Sequence, residues 1–122
     1  MLFECGGNGA IDTTKWTYTD ISSSLTSGAS QNFTVSSSAD LSEYDAIVLR
    51  ATYNNGKAGD FTASGCTIMY QLNALAALDT TTTAEKLVMI NEMSPSGFTL
   101  TNATAVTGTG GSKVVGFGIK FN

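Results

Sequence analysis

The side chains that carry most enzyme chemistry are scarce in this 122-residue sequence. It contains no histidine, which removes the commonest general base and the commonest metal ligand. Its two cysteines, Cys5 and Cys66, are too few for a four-thiolate zinc site within one chain. The sequence therefore predicts no imidazole-based catalysis, no resident metal and no cofactor. Both thiols are expected to be free and buried, with a disulfide between them as the alternative.

Carboxylates are the remaining catalytic candidates, because glycoside hydrolysis needs only a pair of them. Most of the acidic residues stand beside Ser or Thr in predicted turns, where a carboxylate commonly accepts backbone N–H bonds. Glu92 lies at the end of a predicted strand and is expected to face water. Because no two carboxylates share a setting typical of catalysis, we predict a protein without enzymatic activity.

A glycine-rich run at residues 108–113 contains the residue types of a phosphate-binding loop. Such a loop needs Gly-Lys-Ser/Thr leading into a helix, whereas this run, GTGGSK, leads into an apolar strand pattern. It is therefore predicted to be a hairpin turn.

The charge balance excludes several classes of partner. Ten acidic and six basic residues give a net charge of −4, which disfavours binding to a nucleic-acid backbone. No apolar run approaches the roughly 20 residues that cross a bilayer, so membrane insertion is not expected. The first residues lack the pattern of a signal peptide, and synthesis in the cytosol is the expectation.

Aromatic and amide side chains are the candidates for a ligand surface, because ring faces stack on sugars while amides and carboxylates bind hydroxyl groups. Residues 54–64 are predicted to form an exposed, mobile loop that carries part of this surface. Trp16 either belongs to the surface or fills the core, as a single Trp in a small sandwich often does. The predicted ligand-binding residues are Trp16, Tyr18, Tyr53, Asn54, Asn55 and Asp60.

Strands must position these candidates, because the composition disfavours helices. Hydrophobic residues make up 42% of the chain and charged residues only 13%, so Ser, Thr, Asn and Gly supply much of the surface. Apolar and polar residues alternate in several segments, which is the period of a half-buried strand. Clear strands are predicted at residues 46–53, 66–72, 87–93 and 113–121, and weaker ones at 2–5, 15–19, 31–36 and 97–101.

This spacing of strands and turns predicts one all-β domain over residues 1–122. Its expected architecture is an antiparallel β-sandwich or jelly roll of about seven to eight strands. Residues 73–84 break the alternation and are predicted to be a loop. Gly116 and Gly118 thin one side of the last strand, so another backbone is expected to approach it closely.

Several predicted strands are apolar on both faces, which a solitary sandwich does not need. Outward apolar side chains without charged neighbours form a patch that favours self-association. The alternative is that residues 73–84 fold over this patch within one chain. The predicted interface residues are Val48, Met69, Val88 and Ile90.

Two segments carry a resemblance to a known group of proteins. Residues 41–49, LSEYDAIVL, resemble the "LSDYDxIxV" signature in C-terminal β-sandwich domains of bacteriophage tail-fibre and minor structural proteins. Residues 114–120, VVGFGIK, are similar to the terminal strand "I-x-x-I-x-G-I-K" of that group. The resemblance extends over residues 31–122.

The resemblance implies a non-enzymatic virion component, since such domains bring no catalytic residues. It also implies a homotrimer that contacts other virion proteins and binds host-surface glycan or decorates the particle. The expected location is the virion, assembled in the host cytoplasm. The alternative function is a free-standing carbohydrate-binding module of a microbial enzyme.

Overall fold

The computed structural model describes residues 15–28, 32–54, 58–75, 83–104 and 112–122. Nine β-strands and one 3-10 turn, Ser22–Ser24, make up the regular structure of these residues, so the predicted all-β class is confirmed. The strand predicted at residues 2–5 and most of the turn predicted at 108–113 lie outside the described residues. The strands are β1 (Trp16–Asp20), β2 (Thr26–Gly28), β3 (Thr34–Ser37), β4 (Ala46–Asn54), β5 (Phe61–Ser64), β6 (Thr67–Leu75), β7 (Thr83–Asn91), β8 (Phe98–Asn102) and β9 (Ser112–Phe121).

The strands form two antiparallel sheets, as a β-sandwich requires. The order is β1-β9-β4-β7-β6 in the five-stranded sheet and β2-β3-β8-β5 in the four-stranded sheet. The chain changes sheet at every connection except β2–β3 and β6–β7. Such repeated crossings between two sheets are typical of a jelly roll.

The hydrophobic core lies between the sheets and follows from strand alternation. On β4, Ile47, Leu49 and Tyr53 point inward and are buried, whereas Val48 and Arg50 point outward. The four-stranded sheet and the residues beside its strands contribute Phe33, Val35, Phe61, Phe98 and Leu100 to the same core.

Glycine makes room on the inward side of β9. A Cβ added at Gly116 would lie 2.7 Å from a Leu25 methyl carbon and 2.8 Å from a Leu49 methyl carbon. A Cβ at Gly118 would lie 2.7 Å from the Tyr44 ring. The prediction that another backbone approaches this side is wrong, because the nearest groups are the side chains of Leu25, Leu49 and Tyr44.

A β-bulge changes the direction of side chains along β6. Met69 has no register partner on β7, and this extra residue reverses the alternation beyond it. Tyr70 and Leu72 therefore point outward and are exposed, whereas Gln71 points inward. The prediction of one inward face along residues 66–72 is wrong beyond the bulge.

Both predicted loops are shorter than the sequence suggests. β6 continues to Leu75 and β7 begins at Thr83, with residues 76–82 outside the described residues. The loop predicted at residues 54–64 ends at β5, where the Gln71 side chain donates to the Phe61 carbonyl at 2.9 Å and accepts the Phe61 N–H at 2.8 Å. These two hydrogen bonds fasten the end of that loop to the other sheet.

Candidate functional site

The outward side of the five-stranded sheet carries a continuous apolar surface, here named the apolar face. Its central row begins at the exposed Asp20 on β1 and continues across four strands through Phe117, Val48, Met89 and Tyr70. The adjacent row contains Val115, Arg50, Leu87 and Leu72. Met69, in the bulge of β6, adds a further exposed apolar side chain beside the central row.

The apolar face extends to β1 at one edge of the sheet. Tyr18 and Phe121 are exposed there. Trp16, Ala46 and Ile119 belong to the same outward side by register, and all three are buried. Only part of this sheet side is therefore open to solvent in the single chain.

The arginine in the middle of the apolar face is paired within the chain. The Arg50 guanidinium donates to the Glu85 carboxylate, with Nε 3.0 Å from Oε1 and a second contact from the terminal nitrogen. The two residues lie on neighbouring strands β4 and β7. The pair places no unneutralised charge in the middle of this surface.

The outward side of the four-stranded sheet has the opposite chemistry. By register, its outward positions form two rows across β2, β3, β8 and β5. Every one of these positions is Ser, Thr or Gly, and we name this surface the hydroxyl face. The rows are Thr26, Ser36, Thr99 and Ser64, and Gly28, Thr34, Thr101 and Thr62. Hydroxyl groups keep such a surface hydrated, as expected for a side that remains in water.

Two predicted interface residues require correction. Val48 and Met69 lie on the apolar face, as predicted. Val88 and Ile90, which were also predicted to point outward, point inward and are buried in the core. Their outward neighbours on β7 are Leu87 and Met89, which take their place on the apolar face. The sequence could not decide the orientation, because this strand is apolar on both sides and its alternation does not show which side points inward.

Lys86 is buried because it finds two partners at the rim of the core. Its ammonium donates to Asp60 Oδ1 at 2.9 Å and to Asn73 Oδ1 at 2.8 Å. A buried ammonium needs such bonds to offset its lost hydration. Asp60 itself remains 84% exposed, so it is available to solvent on its other side.

The predicted ligand-binding residues do not form one site. Trp16 and Tyr53 are buried and cannot offer a ring face to a ligand. Tyr18 lies on β1. Asp60 lies near β6, because the Lys86 ammonium binds both Asp60 and Asn73 of β6. β1 and β6 occupy opposite edges of the five-stranded sheet. The side chain of Asn54 and all of Asn55 lie outside the described residues.

A hydroxyl-lined pocket of about 440 Å³ lies where β3, β5 and β8 meet the 94–97 turn. The Ser37 hydroxyl accepts the Ala39 N–H at 3.2 Å, and the Ser94 hydroxyl accepts the Ser96 N–H at 3.1 Å. Each hydroxyl oxygen thus accepts a backbone N–H, and a hydroxyl group that accepts one bond is also able to donate one. No lining residue is charged; the lining consists of Ser36, Ser37, Ser38, Ser64, Gly65, Ser94, Ser96, Gly97, Phe98 and Thr99. Sequence reasoning did not find this pocket, because its serines come from two strands and a turn that are distant in sequence.

The described carboxylates serve local structure. Asp20 accepts the Ser22 N–H at 2.9 Å, and Asp40 accepts the Ser42 N–H at 3.0 Å. Hydrogen bonds from the serine hydroxyl and backbone lower the pKa of each carboxyl below its ordinary value. The predicted turn role of these residues is confirmed, and Glu92 is exposed as predicted.

Cys66 is a free, half-buried thiol that packs against the core. Burial raises the pKa of this thiol, which lowers its thiolate content at neutral pH. Cys5 lies outside the described residues.

The part of the chain that the structure describes contains no cluster of three or more His, Cys, Asp or Glu placed to hold a metal ion. Over the same residues, no helix has the length and apolar character needed to span a bilayer.

Tyr53 should titrate late in the folded protein. Burial raises the pKa of its phenol to about 12, partly opposed by a hydrogen bond with Asn102. The phenol of an unfolded chain ionises near pH 10. Its protonated, buried state therefore favours folding below about pH 10, and this contribution is lost as the pH rises through about 12. Urea unfolding at stepped alkaline pH should show a steeper loss of stability for the wild type than for Tyr53→Phe; parallel curves would contradict the burial of this phenol.

Comparison with known proteins assigns no family to the chain. No protein-family model and no curated protein sequence matches it. Among solved structures, the tripod (BppUct-A-L) from the baseplate of bacteriophage Tuc2009 is similar with a TM-score of 0.44 and 10% sequence identity. The alignment covers all of this chain and 75% of that chain. Likeness at this level identifies neither the family nor the activity of the protein.

Proposed function

We propose that this chain is a non-enzymatic structural or adhesion module of a bacteriophage virion. The observation that carries the proposal is that the two segments with the tail-fibre resemblance form one structural unit. β4 and β9 pair along their length, from Ala46 opposite Ile119 to Tyr53 opposite Ser112. Two short motifs that are far apart in sequence therefore act together at the centre of the larger sheet.

The residues before β4 fasten this unit. The Asp45 N–H donates to the Ile119 carbonyl at 2.8 Å, and the Asp45 carboxylate accepts the Phe121 N–H at 2.6 Å. Tyr44 covers Gly118 on β9. Tyr44 and Asp45 of the first resembling motif therefore contact the strand that contains Gly118 of the second motif. This shared structural role supports the resemblance beyond the match of residue types.

The proposed partners are other copies of this chain and other virion proteins. A homotrimer, as the resemblance implies, leaves the hydroxyl face and the loops for contact with host-surface glycan or for decoration of the particle. The proposed location is the virion, assembled in the host cytoplasm.

The virion assignment is tested with phage particles whose genome encodes this chain, purified by density gradient. Mass spectrometry should detect peptides of this chain at a constant ratio to the structural proteins across the particle peak. Peptides that remain only in the soluble fraction, with none in washed particles, would reject the assignment.

A carbohydrate-binding module remains the second candidate, favoured by the uncharged hydroxyl-lined pocket. Its volume lies within the usual range of ligand pockets, roughly 300–1,000 Å³. Amide resonances of Ser37, Ser94 and Gly97 should then shift on titration with neutral monosaccharides. A monomeric protein with these shifts, absent from phage particles, would favour the second candidate over the first.

A further inference from the structure

We infer that the apolar face is the contact surface between copies of this chain. The inference rests on the proposed homo-oligomeric module and names its interface. It is carried by the difference between the two outer surfaces of the sandwich: one sheet is covered outward by hydroxyl groups, while the other presents large apolar side chains. The same chain therefore contains a surface suited to water and a surface that is not.

The exposed apolar area is large enough for a specific interface. Its six large exposed side chains are each 38–56% accessible: Tyr18, Met69, Tyr70, Leu72, Phe117 and Phe121. Aromatic side chains bury about 150–250 Å² each, so these fractions leave on the order of 500 Å² of side-chain surface. A standard interface buries about 800 Å² per partner, a little over half of it apolar. The apolar face alone supplies that apolar share.

The charge on this surface fits a second copy better than a charged partner. Over β9, β4, β7 and β6, the central rows carry one charged residue, Arg50, and it is paired with Glu85 on the neighbouring strand. Asp20 is exposed at the β1 end of the central row. A strongly acidic or basic partner would therefore meet little complementary charge in the middle of this surface. Copies of this chain bring the same mostly uncharged surface, and only 13% of their residues are charged, so repulsion between them is weak.

The placement of the surface also favours a closed assembly. Each chain has one apolar sheet face, and the opposite face of the sandwich is polar. About a two-fold axis this face would pair with itself, whereas about a three-fold axis two parts of the face would meet two neighbours; either arrangement closes without using the polar face. Packed sheets lie about 10 Å apart, so we expect Phe117 and Tyr70 to interdigitate with side chains of the next copy.

The test compares lysine substitutions on the two faces by size-exclusion chromatography with light scattering. The wild type should elute as an oligomer, and the resemblance implies three times the 12.7 kDa chain mass. Phe117→Lys and Tyr70→Lys should each raise the dissociation constant roughly 30-fold or more, as loss of an interface hot spot does. Thr99→Lys and Thr34→Lys, on the hydroxyl face, are the matched controls and should leave the mass unchanged.

Circular dichroism separates loss of the interface from loss of the fold. Both face variants should keep the wild-type far-UV spectrum, because their side chains are already partly in water. Tyr70→Ser serves as a milder variant if a lysine disturbs the sheet. The wild-type oligomer should also persist at high salt, because apolar contacts are not screened, whereas a charge-driven contact would weaken.

The outcomes separate the inference from the function on which it rests. A wild-type oligomer that is unaffected by all three face variants would overturn the inference and leave the virion assignment intact. A wild type that is monomeric at tens of micromolar would overturn self-association itself, while detection in particles would still decide the virion assignment.

Discussion

Replacing Gly97 by alanine should destabilise the fold by about 3–6 kcal/mol, a large part of the roughly 5–15 kcal/mol available to a small domain. Gly97 has a φ of +95°, which residues with a side chain rarely adopt. An added Cβ would lie 1.9 Å from the Ser37 carbonyl oxygen and 2.8 Å from the Ser38 Cα. These neighbours are backbone atoms, so relief of the clash requires movement of the end of β3.

Gly28→Ala is the matched control for this substitution. Among the residues that the structure describes, a Cβ at Gly28 would meet only the Thr34 hydroxyl oxygen, at the ordinary contact distance of 3.4 Å. We expect a change within about 1 kcal/mol there. Urea unfolding of both variants at equal protein concentration gives the comparison, and equal midpoints would contradict the tight packing of the Gly97 turn on β3.

Replacing Phe33 by alanine should cost about 3–5 kcal/mol of folding free energy. Phe33 is fully buried, and its ring lies 4.8 Å from the Tyr53 ring centroid and 6.3 Å from that of Phe61. It therefore joins the four-stranded sheet to β4 of the other sheet. Its removal leaves a cavity between two sheets that cannot close without a change in their separation.

The control for Phe33 is the next residue in the chain. Thr34→Ala removes a side chain from the hydroxyl face of the same segment and should change stability by less than about 0.5 kcal/mol. Unfolding is followed by tryptophan fluorescence at one fixed protein concentration, because self-association raises apparent stability. A Phe33→Ala midpoint close to that of Thr34→Ala would show that the core does not depend on this ring.

The strand architecture was predictable because alternation is a local property of the chain. Ile47, Leu49, Ala51 and Tyr53 recur at every second residue, and β4 buries them all. The absence of histidine excluded imidazole chemistry without any structural knowledge. The turn role of Asp20 was equally local, because its partner is two residues away.

The residues that form the apolar face could not be predicted from the alternation of apolar and polar residues. β7 is apolar on both sides, so its period indicates a strand but not which side points inward. Lys86 lies on the buried side, which the sequence could not reveal because its partner Asp60 lies 26 residues earlier in the chain. The bulge at Met69 also reverses which side chains of β6 point inward. This reversal is visible only from the register between β6 and β7.

The sequence by itself determined the all-β class and the chemistry that is missing, since composition and period act within a few residues. Tertiary structure decided which sides of the strands face water. It buried Trp16 and Tyr53, separated Tyr18 from Asp60 across the sheet, and gathered the apolar residues of β9, β4, β7 and β6 on one face. The physical reason is that burial depends on pairing between strands that are distant in sequence, and only the folded sheet order specifies those neighbours.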